Sequence, residues 1–276
     1  KFSETNANFL LDLSRAWLMI PSPSAEEGQH IGTGPFFLEN WAAQDSITLK
    51  KNPDYNVAPS FRAHSGAAYL DEVVFRILPD TATRVIALQT GEAQLVQDPS
   101  PVDASTMKDD PAYQLFTFSA PGLPSHQMIN VEKFPTDDIN VRKAMIYAVN
   151  SDEIMENASM GLTPAAHSII SPTTWGYNPD ADNMYPYALE KAKSILEEAG
   201  WIDSDGDGIR EKDGEKLTIE YPALPAYEEQ FMELLTYALQ DAGFEVNLQM
   251  LDDAGITAVG QAGDHNILNM GWLSSD

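Results

Sequence analysis

The stretch LTIEYPALPAYEEQFMELLTYALQDAGFEVNLQM, Leu217 to Met250, decides the fold class. Leu217 to Tyr221 alternates apolar and polar residues in the manner of a strand with one face buried. Phe231, Leu234, Leu235, Ala238, Leu239 and Ala242 then recur at the spacing of one helical face, with Glu228 and Glu229 in the first turn, where carboxylates suit the positive end of the helix. Gly243 stops that helix, and Phe244 to Met250 returns as a strand. Strand, helix and strand at this length form a βαβ unit, whose two strands lie parallel in one sheet, so the chain is α/β.

Upstream, Pro186 to Ala199 carries Leu189, Ala192, Leu196 and Ala199 on one helical face and ends at Gly200, which suits the left-handed position after a helix. Val141, Ala144, Met145, Ala148 and Val149 form a second such stripe. Phe9 to Met19 is helix-like until Pro21 and Pro23. Phe36 to Leu38 and Ile47 to Lys50 can pair as a hairpin, and Val73 to Leu78 reads as a third strand. Asp80 is a fitting N-cap for a helix over Thr81 to Thr90, with Gly91 as its stop. Tyr113 to Phe118 is strand-like, Ala120 to Pro124 interrupts it as the expected crossing between lobes, and Ile267 to Trp272 reads as a strand.

Between the Gly200 helix and the βαβ unit lies Asp203-Ser204-Asp205-Gly206-Asp207-Gly208. Alternating carboxylates with a glycine at the sixth position are the start of a calcium loop. The closing Glu of an EF-hand would fall on Gly214, with Glu215 one residue late, so this is not an EF-hand. Glu211 or Asp213 could close a looser shell. A tight turn whose carboxylates accept from backbone N–H groups explains the same residues, and both readings stay open.

The chain has 42 acidic and 16 basic residues, a net charge of −26. Such a charge repels nucleic acid and anionic membranes and fits work in salty water, where ions screen self-repulsion. There is no cysteine, hence no disulfide or thiol chemistry. The five histidines, His30, His64, His126, His167 and His265, show no helical metal-ligand pair, and no nucleophile elbow, P-loop or metalloprotease motif occurs. A hydrolase acting through two carboxylates is therefore disfavoured, and no cofactor is required beyond the calcium that the acidic loop would take.

Several segments carry a family resemblance by their order. They are Gly32-Thr33-Gly34-Pro35-Phe36 with Trp41 and Leu49 to Tyr55; Tyr69 to Phe75 with Ala87 to Glu92; Asn130 and Phe134 with Val141 to Ala144 and Ala148 to Asn150; and Ala192 to Trp201 with Gly271-Trp272. Together they resemble the family 5 extracellular solute-binding proteins of peptide and nickel ABC transporters. The resemblance implies an α/β, two-lobed periplasmic-binding-protein-like fold of the large peptide-binding class, with mixed sheets flanked by helices. It implies a chain incomplete at both ends, residues 1–122 belonging to lobe I and 123–276 to lobe II.

It further implies a non-enzymatic extracytoplasmic receptor, in the periplasm or lipid-anchored at the outer face of the membrane, that captures an oligopeptide between the lobes. A membrane permease is the expected partner, and the receptor itself is expected to be a monomer. A nickel- or oligosaccharide-binding member is the alternative within the family, and a calcium-stabilised interaction module the alternative outside it. Trp272 would line the cleft. Asp276, one residue later than the family's usual ligand Asp, would meet the ligand's amino group. Dipeptide-binding members tend to carry an Arg after the strand equivalent to Leu217 to Tyr221. Here Ala223-Leu224-Pro225-Ala226-Tyr227 has none, which argues against a strict dipeptide receptor and leaves Tyr227 as the ligand candidate of that loop.

Overall fold

A computed structural model of the chain describes residues 23, 32–57, 64–182, 184–224 and 229–272. The expected helix over Phe9 to Met19 lies outside them. The chain forms two compact units, Lys1–Pro99 and Ser100–Asp276.

In the first unit, β1 (Phe36–Ala42), β2 (Ser46–Lys51) and β3 (Glu72–Arg76) form an antiparallel meander in that order. Trp41 pairs with Ile47, and Leu49 with Val73. The β1–β2 connection has Asp45 N–H donating to Ala42 O at 3.1 Å and Gln44 at φ 61°, a three-residue loop with one left-handed position. Helix α1 (Thr81–Gln89) starts where Asp80 Oδ1 accepts from the Thr83 amide at 2.7 Å and the Thr83 hydroxyl at 2.6 Å, as the sequence led one to expect. The helix buries Val85 and Ala87.

The second unit holds the larger core. The βαβ unit is there: β7 (Thr218–Ala223), α6 (Glu229–Gln240) and β8 (Glu245–Met250), with β7 and β8 parallel and Tyr221 opposite Leu248. Helix α6 buries Met232, Leu235, Thr236 and Leu239, so its inner face is turned slightly from the expected stripe, and Phe231 is only partly buried. Leu217, Ile219 and Tyr221 of the β7 segment are fully buried. Against them pack α3 (Ile139–Ala148) through Val141, Ala144 and Ala148, and α5 (Leu189–Glu198) through Ala192 and Leu196. Gly200, at φ +88°, turns the chain out of α5 so that Trp201 drops into the core.

Around this frame lie α2 (Pro101–Met107), α4 (Ser151–Ser159), α7 (Asp253–Ala262), the short β5 (Glu211–Lys212) and β6 (Glu215–Lys216), and the antiparallel pair β4 (Leu123–Ile129) and β9 (Ile267–Trp272). Asn266, fully buried, couples β9 to β7. Its amide donates to Glu220 O and its Oδ1 accepts from Glu220 N–H, both at 2.9 Å, while its Nδ2 donates to Phe134 O and Thr136 Oγ1, both at 3.0 Å.

Two expectations are corrected. Tyr113 to Phe118 is not a strand: it has no ladder partner among the described residues, and Phe116 and Phe118 are exposed. The strand sits instead at Leu123–Ile129, across the proline-containing stretch expected to interrupt one; Pro124 is tolerated near its start, at a break in the register between Leu123 and His126.

Candidate functional site

Parallel strands joined by a helix leave a crevice beyond their carboxyl ends, because the crossover carries the chain away from the sheet at that edge. The second unit has such a cleft, of ≈ 890 Å³, beyond the end of β7 at Pro222, Ala223 and Leu224. Met232 of α6 and Ile256 of α7 form part of its apolar wall, and β9 contributes Asn269. The other wall is the start of β4 at Leu123, Pro124 and Ser125 with irregular chain from residues 118–120, 163–172 and 177–182 in part. A volume of this size suits a ligand of several residues or a small cofactor-sized molecule.

The irregular wall is held by backbone and hydroxyl contacts. Ser171 N–H donates to Gly122 O at 2.8 Å, and Gly122 N–H donates to the buried Thr174 hydroxyl at 2.7 Å. Thr174 O accepts from Tyr177 N–H, and Asn178 caps the one-turn helix Pro179–Ala181, after which Asp182 N–H returns to Pro179 O. This folding places Tyr177 and Asp182 together in the cleft wall, where the Tyr177 hydroxyl donates to Asp182 Oδ2. That bond to a carboxylate, reinforced by partial burial, holds the Tyr177 hydroxyl above the usual phenol range. Asp182 Oδ1 is buried and has no hydrogen-bond partner among the described residues. His167 of the same wall is 3.0 Å from Asp152 Oδ1 through Nε2. Asp182 and Asp253 are the acidic groups lining the cleft, and no Lys or Arg lines it among the described residues.

The sequence-derived candidates meet this cleft unevenly. Trp272 ends β9, and its backbone pairs with Leu123, a cleft residue. Tyr227 and Asp276 lie outside the described residues; Leu224, three positions before Tyr227, lines the cleft. Trp175, in the loop that brings Tyr177 inward, is itself 93 % exposed. Tyr177 and Asp182 pair across only five positions, but no sequence signal places them at the cleft, because their loop is held there by Thr174 bonding to Gly122, 52 positions away.

The acidic loop is separate from the cleft. Asp203, Asp205, Asp207 and Glu211 bring one oxygen each within 4.8 Å of one another. The same carboxylates already accept from the loop backbone. Asp203 takes Gly206 N–H at 2.7 Å and Gly208 N–H at 3.1 Å, Asp205 takes Asp207 N–H at 3.1 Å, Asp207 takes Ile209 N–H at 2.8 Å and Glu211 takes Ser204 N–H at 3.1 Å. Lys216 Nζ sits 2.9 Å from Asp207 Oδ2. Of the two residues that could complete the set, Glu211 is the one present. Asp213 occupies the β5–β6 turn with Gly214, both at positive φ, the geometry that an Asp-Gly hairpin turn requires.

The model of the bacterial extracellular solute-binding proteins, family 5 Middle, matches residues 1–276. The dipeptide-binding protein of Escherichia coli is 31% identical over 263 residues, 95% of this chain and 46% of that protein. Among solved structures, a DppA from Helicobacter pylori in complex with the peptide STSA superimposes with TM-score 0.73 at 26% identity, covering 97% of this chain and 50% of that one. NikA from Brucella suis in complex with Fe(III)-EDTA gives TM-score 0.76 over 87% of this chain and 47% of that one, and at 23% identity it speaks for the fold alone. The chain thus spans about half the length of these relatives.

Proposed function

Because the chain belongs to the bacterial extracellular solute-binding proteins of family 5, we propose that it forms the middle of an extracytoplasmic receptor that hands oligopeptides to an ABC importer. The family is one of solute-binding proteins rather than of enzymes. The observation that carries the oligopeptide reading is the ≈ 890 Å³ cleft at the carboxyl end of β7, with apolar walls and a few polar groups. Its support from kinship is that relatives bear the names of dipeptide- and oligopeptide-binding proteins. Trp272, Tyr227 and Asp276 are proposed as further ligand contacts, since Leu224, three positions before Tyr227, lines the cleft, and Trp272, four positions before Asp276, pairs by its backbone with Leu123 of the lining. The receptor would work outside the cytoplasm, as a monomer free in the periplasm or held by a lipid anchor, and dock on a permease. No helix among the described residues is long and apolar enough to cross a membrane.

A nickel reading has a nickel-binding relative behind it. Among the described residues, however, the cluster of candidate metal ligands is the acidic loop, which has no histidine and suits a hard cation. Native mass spectrometry of the protein as purified tests the oligopeptide reading. A ladder of short-peptide masses supports it, and a bound sugar or metal in their place overturns it.

Calcium in the acidic loop is a separate proposal, supported by four carboxylates gathered within 4.8 Å. The expected outcome is a melting temperature that rises from chelator to millimolar calcium and loses that rise in Asp205→Asn. Equal melting in both leaves the loop as a hydrogen-bonded turn.

A further inference from the structure

We propose that the cleft sorts its ligands by charge: it takes peptides with a neutral or cationic side chain at this wall and turns away those that place a carboxylate there, with Asp253 as the exposed group that reads the difference. This rests on the oligopeptide reading of the cleft and names the kind of peptide it would take.

The lining is drawn from three stretches of chain, residues 109–132, 144–190 and 217–276. None of them contains a Lys or an Arg, while together they hold 19 Asp and Glu residues, so no rotation of a side chain within these stretches brings a cation to the wall. Of the basic residues that stand between the stretches, Arg142 donates to Thr136 O and Asp137 O, Lys191 lies over the Tyr147 ring, Arg210 pairs with Glu197 and Lys216 pairs with Asp207. His167 of the lining is already beside Asp152, with Nε2 3.0 Å from Oδ1.

Helices α6 and α7 meet the wall near their starts, through Met232 and through Asp253 and Ile256. A helix start draws anions, but each of these carries its own carboxylate in the first turn, Glu229 in α6 and Asp253 in α7, and Asp252 caps α7 by accepting from Gly255 N–H at 2.8 Å. Asp182 bonds to Tyr177 and buries its other oxygen, so it adds to the field of the wall without offering that oxygen for contact. Asp253 is different: it is exposed, it lines the cleft, and its carboxylate has no hydrogen bond or ion pair among the described residues. A carboxylate entering a concave wall of one sign meets repulsion while it loses water, whereas an ammonium gains attraction. Asp253 and Ile256 are three positions apart and so share one face of α7, where the methylene stem of a lysine can lie on Ile256 with its head at Asp253.

The test measures Ala-Lys-Ala, Ala-Gln-Ala and Ala-Glu-Ala by isothermal titration calorimetry on the full chain and on Asp253→Lys; the terminal charges are the same in all three peptides, so only the middle side chain differs. The wild type is expected to bind Ala-Glu-Ala about tenfold or more weaker than its neutral isostere Ala-Gln-Ala, with Ala-Lys-Ala at least as tight as the latter, and Asp253→Lys to cut the preference for Ala-Lys-Ala over Ala-Glu-Ala by about tenfold or more. Equal binding of Ala-Gln-Ala and Ala-Glu-Ala by the wild type overturns the proposal, as does a preference that Asp253→Lys leaves in place; in both cases the peptide receptor stands. If the wild type binds none of the three, the peptide reading falls and this inference with it. Should Asp253→Lys not fold, Asp253→Asn takes its place, and a preference for Ala-Lys-Ala over Ala-Glu-Ala that it does not narrow overturns the proposal.

Discussion

Arg210 and Gly243 form one contact on which the lower part of the second unit turns. The Arg210 side chain is buried and donates to Ala242 O at 3.1 Å, to Trp201 O at 3.0 Å and to Glu197 Oε1 at 3.1 Å, so a cation closes three separate segments. Gly243 lies under its stem at φ +99°; an added Cβ would sit 2.7 Å from Arg210 Cγ. Gly243→Ala meets both a disfavoured backbone and a side chain that its hydrogen bonds hold in place. We expect it to lower unfolding free energy by about 2 kcal/mol or more in urea titration, and a loss near 0.5 kcal/mol, roughly the scale of surface changes, would sink that account. In the acidic loop, Lys216 holds the Asp207 carboxyl below its ordinary range, aided by the Ile209 amide, and Asp207 in turn raises Lys216. A carboxylate whose folded value is depressed contributes stability above its ordinary 3.8 and loses it as pH falls through the folded value; the lysine contributes below 10.5 and loses as pH rises beyond it. The pair therefore acts between those limits, and Lys216→Met should move the Asp207 carboxyl titration, read by NMR, upward. An unmoved titration would mean that the ion pair does not form in solution.

At the scale of elements, caps and turns decide where structure starts. Helix α1 begins at Asp80, whose carboxyl is held below its ordinary range by hydrogen bonds from the Thr83 hydroxyl and amide. Asp80→Ala should cost the first unit about 1 kcal/mol in thermal or urea unfolding, with Asp80→Ser recovering most of it; equal stability of the Ala and Ser variants would show that the cap contributes nothing. Helix α4 begins in the same way at Asn150, which accepts from Glu153 N–H and donates to Glu153 Oε2, a reciprocal cap written in the sequence as Asn150-Ser151-Asp152-Glu153. The strand β4 had no such mark. Pro124, Ser125, His126 and Gln127 show neither alternation nor strand propensity, and they form a strand because β9 offers a ladder, pairing Gln127 with Asn269 and Ile129 with Ile267. Tyr113 to Phe118 is the converse case, with strand-forming side chains and no partner among the described residues.

For the whole molecule, charge outweighs any single contact. A net charge of −26 is met by few ion pairs among the described residues, and several of these are exposed on both sides, such as Lys50 with Glu39 and Arg76 with Glu92. Exposed pairs of this kind contribute little, so long-range repulsion between carboxylates is left for the solvent to screen. The melting temperature should rise as sodium chloride goes from about 0.01 M to about 1 M, over which the screening length shrinks from about 30 Å to about 3 Å. A flat or falling melting curve would separate this chain's acidity from any adaptation to salt.

The α/β class, the parallel βαβ unit, the helices ending at Gly91 and Gly200, and the family itself were fixed by the chain's own order, because periodicity, caps and glycine turns act over a few residues. The cleft was not. Asn266 reaches Phe134 across 132 positions and Gly122 reaches Thr174 across 52, and those contacts bring Tyr177 and Asp182 to the end of β7. Residues that far apart carry no shared pattern along the sequence. Their proximity came only from how the second unit packs.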